Sequence, residues 1–204
     1  MKPRSHFHRV ILASASPTRQ NILRNAGLSF EIFPAHINEN AVKKKMRGAS
    51  FTAKETAQRL SDLKAQKVSE QRKEAFVIGS DQMLESDGCW FDKPNNTDDA
   101  RDQLMKLRGL QHRLFSSVSV ALNGEVLFRH GECSVMTMRH FSDQFVVSYL
   151  ELEQDQACQS VGGYKLEGRG IQLFSSVEGG YFDILGIPLL PLLDFLRTQG
   201  IVGD

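Results

Sequence analysis

The sequence predicts an α/β protein, and two observations carry that expectation. Through roughly the first half of the chain, short apolar runs of strand character alternate with segments that have helix caps and helical apolar spacing. In the middle, "VSVALNGEVLFRH" sets two strand-like runs on either side of Asn123-Gly124, the residue pair that closes an antiparallel type I′ hairpin.

The elements follow in order. "HRVILA" (8–13) reads as a buried strand that runs directly into "SASPTRQNILRNAG". There Ser16 is the N-cap, Pro17 suits the first helical position, Ile22, Leu23 and Ala26 form an apolar face, and Gly27 ends the helix. "FEIFPA" (30–35) is a second strand, and residues 40–49, with Lys43, Lys44, Lys45, Arg47 and Gly48, read as a solvated loop. Thr52 and Glu55 make a capping box for a helix to about Ser69. "AFVIG" is a third strand, broken at Gly79, and "SDGCWFDKPNN" is an excursion. Thr97 caps a helix that carries Ala100, Leu104 and Leu107 on one face. After the hairpin, Ser142 caps a helix to about Leu152. The glycine-dense "GGYKLEGRG", a strand at "IQLFSSV", the turn "EGGYFD" and a helix opened by "GIPLLPLLDFL" complete the chain.

Composition narrows the function. The charge is balanced, 25 Lys+Arg against 24 Asp+Glu, which disfavours a general nucleic-acid or membrane-surface binder while leaving room for a local phosphate site. The three cysteines, Cys89, Cys133 and Cys158, are odd in number and widely spaced, as free thiols in a reducing compartment are. No apolar run approaches the ~20 residues of a membrane helix, and "VILA" is too short for a signal core. A cytoplasmic protein is expected, with residues 1–204 forming one domain or two lobes closely joined around a cleft. His6 and His8 read as part of an N-terminal tail.

Three constellations carry chemistry. In "ASASPTR" a strand ends in small residues and a helix begins, so Ser14, Ala15 and Ser16 bring backbone N–H groups to a helix N-terminus, and Arg19 adds a cation. The same stretch also reads as an ordinary Ser-Pro cap. Glu39 follows one predicted strand and Asp81 another, which sets two carboxylates at one sheet edge, where α/β proteins bind ligands. Such oxygen ligands suit Mg²⁺ held against phosphates, although unrelated turn acids would look alike. Lys64 shares a helix face with Ala53, Ala57 and Leu60, so it either snorkels to the rim or meets an anion; Lys67 lies near that stripe too. Lys93 stands in the loop "DKP".

Their order along the chain says more. "LASASPTRQNIL", Glu39, "RLSDLKA", "VIGSDQ", "DKP", "LRGLQHRLFSSV", "VGGYKLEGRGIQLF" and "GIPL" together resemble the Maf family of nucleoside triphosphate pyrophosphatases, from about Val10 to Leu196. The resemblance implies an elongated mixed sheet flanked by helices, of the inosine-triphosphate-pyrophosphatase type, often as a homodimer. It implies hydrolysis of a nucleoside triphosphate to the monophosphate and pyrophosphate with a divalent cation, Mg²⁺ or Mn²⁺. Asp81 would be the proton acceptor and a metal ligand, Glu39 its metal-site partner, and Ser14, Arg19, Lys64 and Lys93 the triphosphate-binding residues.

The chain departs from the family pattern at Thr18, where an arginine is usual, at Asn38, where a second acid is usual, and at Asp183, where an asparagine is usual. Gln82 and Glu167 match the branch acting on 7-methyl-GTP, while the branch acting on dTTP and UTP has Thr and Gln there; Thr18 replaces a tryptophan common in the former. A carboxylate at 167 accepts from guanine N1–H and its 2-amino group and favours the positive charge of N7-methylguanine. Clearance of modified nucleotides, weakly favouring 7-methyl-GTP, is the expected function. A dTTP/UTP pyrophosphatase and a non-catalytic nucleotide-binding regulator of cell division are the alternatives. A serine hydrolase using Ser80 is disfavoured, because "IGSDQ" lacks the GxSxG elbow.

Overall fold

The computed structural model describes residues 9–203, so the expectations for His6 and His8 fall outside it. A seven-stranded sheet has the order β2 (Glu31–Ile32), β1 (Arg9–Leu12), β3 (Ala75–Ser86), β5 (Gln111–Leu122), β6 (Glu125–Met138), β7 (Phe174–Glu178), with β4 (Cys89–Phe91) paired to β3. The α/β expectation holds, and the sheet is mixed with helices on both faces.

β1 (Arg9–Leu12) lies parallel to β2 (Glu31–Ile32) on one side and to the start of β3 (Ala75–Ser86) on the other. The second strand is thus far shorter than "FEIFPA" suggested, because its chain leaves the sheet edge after Ile32. β3 pairs along most of its length with β5 (Gln111–Leu122), antiparallel, and β5 continues through Asn123-Gly124 into β6 (Glu125–Met138). Asn123 and Gly124 have φ values of 53° and 89°, the doubly positive pair a type I′ turn requires. β7 (Phe174–Glu178) completes that edge, beginning later than "IQLFSSV" because Ile171–Leu173 are wound in a 3₁₀ turn.

β3 corrects the sequence reading. It does not stop at Gly79 but runs twelve residues, straight through Ser80, Asp81 and Gln82. The excursion that follows is the turn Asp87-Gly88 and then β4 (Cys89–Phe91), folded back on Leu84–Ser86. On that edge of β3, pairing with β1 ends at Leu12↔Ile78 and pairing with β4 begins at Leu84↔Phe91. Residues 79–83 therefore have a strand on one side only. A cleft opens at this gap.

α1 (Pro17–Asn25) starts as expected, with the Ser16 hydroxyl accepting from Arg19 N–H. Against expectation, residues 39–48 form a helix, α2 (Glu39–Gly48), capped by Asn38; its apolar side is only the half-buried i,i+4 pair Val42 and Met46, set among three lysines and an arginine. α3 (Ala53–Gln71) opens with both bonds of the Thr52–Glu55 capping box. In α4 (Thr97–Leu107) the cap is Asn96, one residue earlier than predicted, and Ala100, Leu104 and Leu107 are buried. Then come α5 (Asp143–Glu153), capped by Ser142, and short 3₁₀ turns over 154–173. The expected turn at "EGGYFD" winds into α6 (Tyr181–Ile184), and α7 (Leu189–Thr198) ends the fold.

α1 and α7 cover one face of the parallel strands, packing Leu23, Leu192 and Leu196 on Leu12 and Ile78. α3 covers the other, with Leu60 against Met83 and Val68 against Val77. α4 and α5 build a further core on Leu114, Met136 and Met138. Burial of such apolar surface, about 25 cal/mol per Å², is what holds these layers and hence the edges of the gap in register.

Candidate functional site

An open cleft of about 670 Å³ lies over the gap, and the nine catalytic, metal, phosphate and base-specificity candidates line it: Ser14, Thr18, Arg19, Glu39, Lys64 and Asp81, then Gln82, Lys93 and Glu167, whereas Asn38, Lys67 and Asp183 do not. The gap explains why. β1 stops at Leu12, and the chain turns over the open edge of β3 into α1, bringing Ser14 and Arg19 to Asp81. The carboxyl end that matters is therefore that of β1, with Asp81 inside β3 beside it.

The pleat of β3 divides the work between its faces. Gly79 and Asp81 point toward α3. A Cβ on Gly79 would lie 2.3 Å from Ser61 O and 2.6 Å from Ala65 N, so glycine lets the helix backbone approach the strand. That close approach sets Lys64, between those two residues, against Asp81: Nζ donates to Oδ1 at 2.5 Å, and to Glu39 Oε1 at 2.7 Å. The lysine on the apolar stripe thus meets anions rather than snorkelling. Lys67 turns instead to the carbonyl of His36.

Ser80 and Gln82 point the other way, toward the turn 183–186. The Ser80 hydroxyl is fully buried and donates to the carbonyls of Ser117 and Gly186, which removes it as a nucleophile. The Gln82 Nε2 group donates to Ser116 Oγ and Ile184 O, each at 2.9 Å. Because Ile184 O only accepts, the amide orientation follows, with the nitrogen on Ile184 O and the oxygen remaining as an acceptor.

Arg19 fills the place of the missing strand. Its Nη1 donates to Ser80 O, the backbone acceptor exposed by the gap, at 3.0 Å, and its Nε donates to Gly186 O at 2.8 Å. Burial pushes the Arg19 guanidinium below its ordinary range, while Asp81 and Glu39 pull it back up. Lys93, although exposed over much of its surface, brings its ammonium into the same cleft: desolvation there lowers its pKa first and Arg19 and Lys64 lower it further, against Glu39 and Asp81. Burial raises the Glu39 carboxyl, but Lys64, by charge and hydrogen bond, with Lys43 and Arg19, holds it below the usual carboxylate range. At the far rim the Thr18 hydroxyl donates to Glu167 Oε1 at 3.2 Å, joining α1 to the 3₁₀ segment.

The cleft offers oxygen donors that would suit a divalent cation. Asp81 Oδ2 is buried without a hydrogen-bond partner, which costs on the order of 1–3 kcal/mol unless a ligand or cation satisfies it. Asn38 is committed to capping α2 through Ala41 N–H, so the protein ligands would be Glu39 and Asp81, with phosphate and water oxygens completing the shell. Among the described residues, no group of three or more His, Cys, Asp or Glu side chains surrounds a common point, and the residues fit a metal shared with its substrate rather than an all-protein cage.

The sequence reading missed the supports. Ser116 and the backbone of 183–186 hold Gln82 and Arg19, and Asp183 takes part through its carbonyl, which accepts from Ser116 Oγ at 2.6 Å. Gly186 was the available signal: its φ of 93° is costly for other residues, and a Cβ there would stand 3.2 Å from Arg19 Nη2.

Fold and cleft together give a mixed α/β protein with a charged, open cleft beside its central strand. The Maf-like protein family model matches residues 9–199, and the chain belongs to that family. It is 47% identical to a nucleoside triphosphate pyrophosphatase of Granulibacter bethesdensis, over 94% of this chain and 97% of the relative. It is 45% identical to one of Paramagnetospirillum magneticum, over 93% and 98%. It is 42% identical to a 7-methyl-GTP pyrophosphatase of Rhizobium johnstonii, over 95% and 98%.

Proposed function

We propose that this chain, a nucleoside triphosphate pyrophosphatase of the Maf-like family, uses Asp81 as its base and takes 7-methyl-GTP as its preferred substrate. The observation that carries the catalytic part is the asymmetry of the Asp81 carboxylate. Oδ1 is anchored by Lys64, while Oδ2 is buried and unpartnered beside the open edge of β3. An oriented carboxylate with one free oxygen can align a water and accept its proton. The water oxygen bonds to the α-phosphorus, the bond from that phosphorus to the α–β bridging oxygen breaks, and pyrophosphate leaves with the electron pair. Arg19, Lys64 and Lys93 surround the triphosphate and stabilise the charge that develops on the leaving group. Ser14 adds a hydroxyl next to Arg19 Nη1. A Mg²⁺ or Mn²⁺ ion held by Glu39 and Asp81 would neutralise phosphate charge when bound.

The base preference rests on two acceptors. The Gln82 amide oxygen and the Glu167 carboxylate both line the cleft, and guanine offers N1–H and a 2-amino group, whereas uracil and thymine offer only one imide N–H. The carboxylate also favours a base that carries the positive charge of N7 methylation. The Rhizobium johnstonii relative, named for that substrate, supports the same choice. We further propose a cytoplasmic enzyme. No helix among the described residues is long and apolar enough to cross a membrane.

Pyrophosphate release measured with Mg²⁺ or Mn²⁺ across dTTP, UTP, CTP, GTP and 7-methyl-GTP tests the whole reading. The expected order puts 7-methyl-GTP first, and Glu167→Gln reduces its kcat/KM relative to dTTP by roughly ten- to a hundredfold. A preference for dTTP or UTP would overturn the base assignment and leave the enzyme; no turnover on any substrate would overturn Asp81 as a base.

A further inference from the structure

A second recess, of about 360 Å³, opens beside the cleft, and Asn40, Lys43 and Asp92 line both. Its remaining wall is Lys44, Arg47 and Trp90. Three of these side chains are cations and only Asp92 is an anion. The shared wall lies beside Glu39 and Lys93, which precede and follow Asn40 and Asp92 in the chain. Thr18, Gln82 and Glu167, the proposed base-reading residues, line the cleft but not the recess. The recess therefore adjoins the phosphate end.

The helix that bears these cations is unusual in what holds it. α2 has no fully buried residue, and its apolar contact with the core is limited to the partly buried Val42 against the cluster of Ala53, Ala57, Leu60 and Met83. Polar tethers supplement that contact: Lys43 pairs with Asp92, the Arg47 Nη2 group donates to Gly88 O at 2.9 Å, and the Arg47 guanidinium lies 4.8 Å from the Trp90 ring centre. Stacking on tryptophan holds the guanidinium in place while leaving its edge free to donate. Lys44 is exposed with no ion pair within reach among the described residues.

We propose that this recess is a polyphosphate subsite, which admits a substrate with a phosphate chain longer than three at its leaving end, such as a nucleoside 5′-tetraphosphate. The proposal rests on the catalytic reading above. The chemistry is unchanged and balances: water oxygen bonds to the α-phosphorus, the bond to the α–β bridging oxygen breaks, and tripolyphosphate leaves with the electron pair. The water proton passes to Asp81 and then to solvent. Lys44 and Arg47 meet the additional phosphate, whose negative charge balances the two cations left over once Lys43 and Asp92 neutralise each other.

Trp90 is the only tryptophan in the chain, so its fluorescence reports on the recess directly. Titration with inorganic tripolyphosphate, with pyrophosphate as the comparison, is expected to change Trp90 emission and to show roughly tenfold tighter binding of tripolyphosphate. Lys44→Gln and Arg47→Gln, made singly, are expected to remove that advantage. They should also remove any excess of kcat/KM for guanosine 5′-tetraphosphate over GTP, with GTP turnover kept within about twofold. Equal affinity for the two anions in the unaltered protein would overturn the subsite, as would variants that lose GTP and tetraphosphate turnover alike. An absence of GTP turnover would instead overturn the catalytic reading, with the tripolyphosphate titration still deciding the subsite by itself.

Discussion

Lys64 Nζ lies 2.5 Å from Asp81 Oδ1, and both side chains are at least nine-tenths buried. One ammonium here serves two carboxylates, because Glu39 reaches it from the start of α2. The trio carries one positive and two negative charges, so a further cation would balance it. Glu39 is also more open to solvent than Asp81, which leaves a path by which that cation can arrive.

Removing either end of the buried pair separates stability from chemistry. Lys64→Met strands the Asp81 carboxylate and is expected to destabilise the fold by about 3–5 kcal/mol. Asp81→Asn keeps a hydrogen-bonding group beside Lys64, so its stability loss should be smaller, while kcat falls by about 10²–10⁴-fold. The double variant should recover much of the Lys64→Met stability loss and none of the activity. Urea midpoints and pyrophosphate release measured on the three variants decide it. Equal activity losses without the stability recovery would show that the two groups are not coupled.

Lys93 sets an alkaline limit to substrate binding. Its lowered pKa means that the folded protein gives up this proton at a lower pH than a free lysine would, and the loss of charge removes a partner for the triphosphate. For stability the sign is opposite: holding the ammonium charged in the cleft costs free energy at lower pH, and that cost is relieved as pH rises through the lowered pKa. KM for the triphosphate is therefore expected to rise with pH before ordinary lysines titrate. Lys93→Arg, which stays protonated, should move that rise to higher pH with kcat little changed. An identical KM profile in the arginine variant would exclude Lys93 from phosphate binding.

Gly79→Ala tests whether the close approach of α3 to β3 positions the site. The new methyl group would meet backbone atoms of Ser61 and Ala65, not the end of a flexible side chain, so the helix must shift. Overpacking of this kind costs about 1–3 kcal/mol. Since Lys64 lies between the displaced residues, activity per folded molecule should fall as well. Full specific activity in a destabilised variant would show that the helix spacing matters for the fold alone.

How much of this was legible in the sequence follows from what each residue answers to. The Thr52–Glu55 box, the Ser16-Pro17 start and the Asn123-Gly124 turn were readable because their cause is local: a cap or turn lies within a few residues of what it satisfies. The cleft residues were readable as a set through their order along the chain, and the fold brings all of them to one gap. What could not be read has a non-local cause. Gly79 looked like a strand end, yet β3 continues because β5 pairs with it throughout and α3 needs the missing Cβ. α2 shows only one apolar i,i+4 pair, Val42 and Met46, among its cations, and its polar tethers Asp92 and Gly88 lie 49 and 41 residues away. Arg19 was expected to meet phosphate; that it also takes the free carbonyl of Ser80 depends on a strand that is absent, which no local pattern records.

His112 gives the fold an acid-sensitive point behind the cleft wall. Its Nε2 is 2.7 Å from the hydroxyl of Tyr164, its Nδ1 is buried without a partner, and Tyr164 and Phe174 pack against the ring. Burial pushes the imidazole down to about 4, and burial also raises the Tyr164 phenol, so this pair stays neutral across the ordinary pH range. An unfolded histidine titrates near 6.5. Below that pH the unfolded chain takes up a proton that the folded protein refuses, so stability falls on acidification and continues to fall until about pH 4. The full difference is on the order of 3 kcal/mol. His112→Gln retains a partner for Tyr164 but does not titrate. The stability gap between the unaltered protein and this variant, read from urea midpoints, is therefore expected to change in the variant's favour between pH 6.5 and 4, while the carboxylates common to both cancel. Tyr164 lines the cleft, so activity at the acid end should follow the same comparison. A gap that stays constant across that interval would mean His112 is protonated as readily in the folded protein as in the unfolded chain.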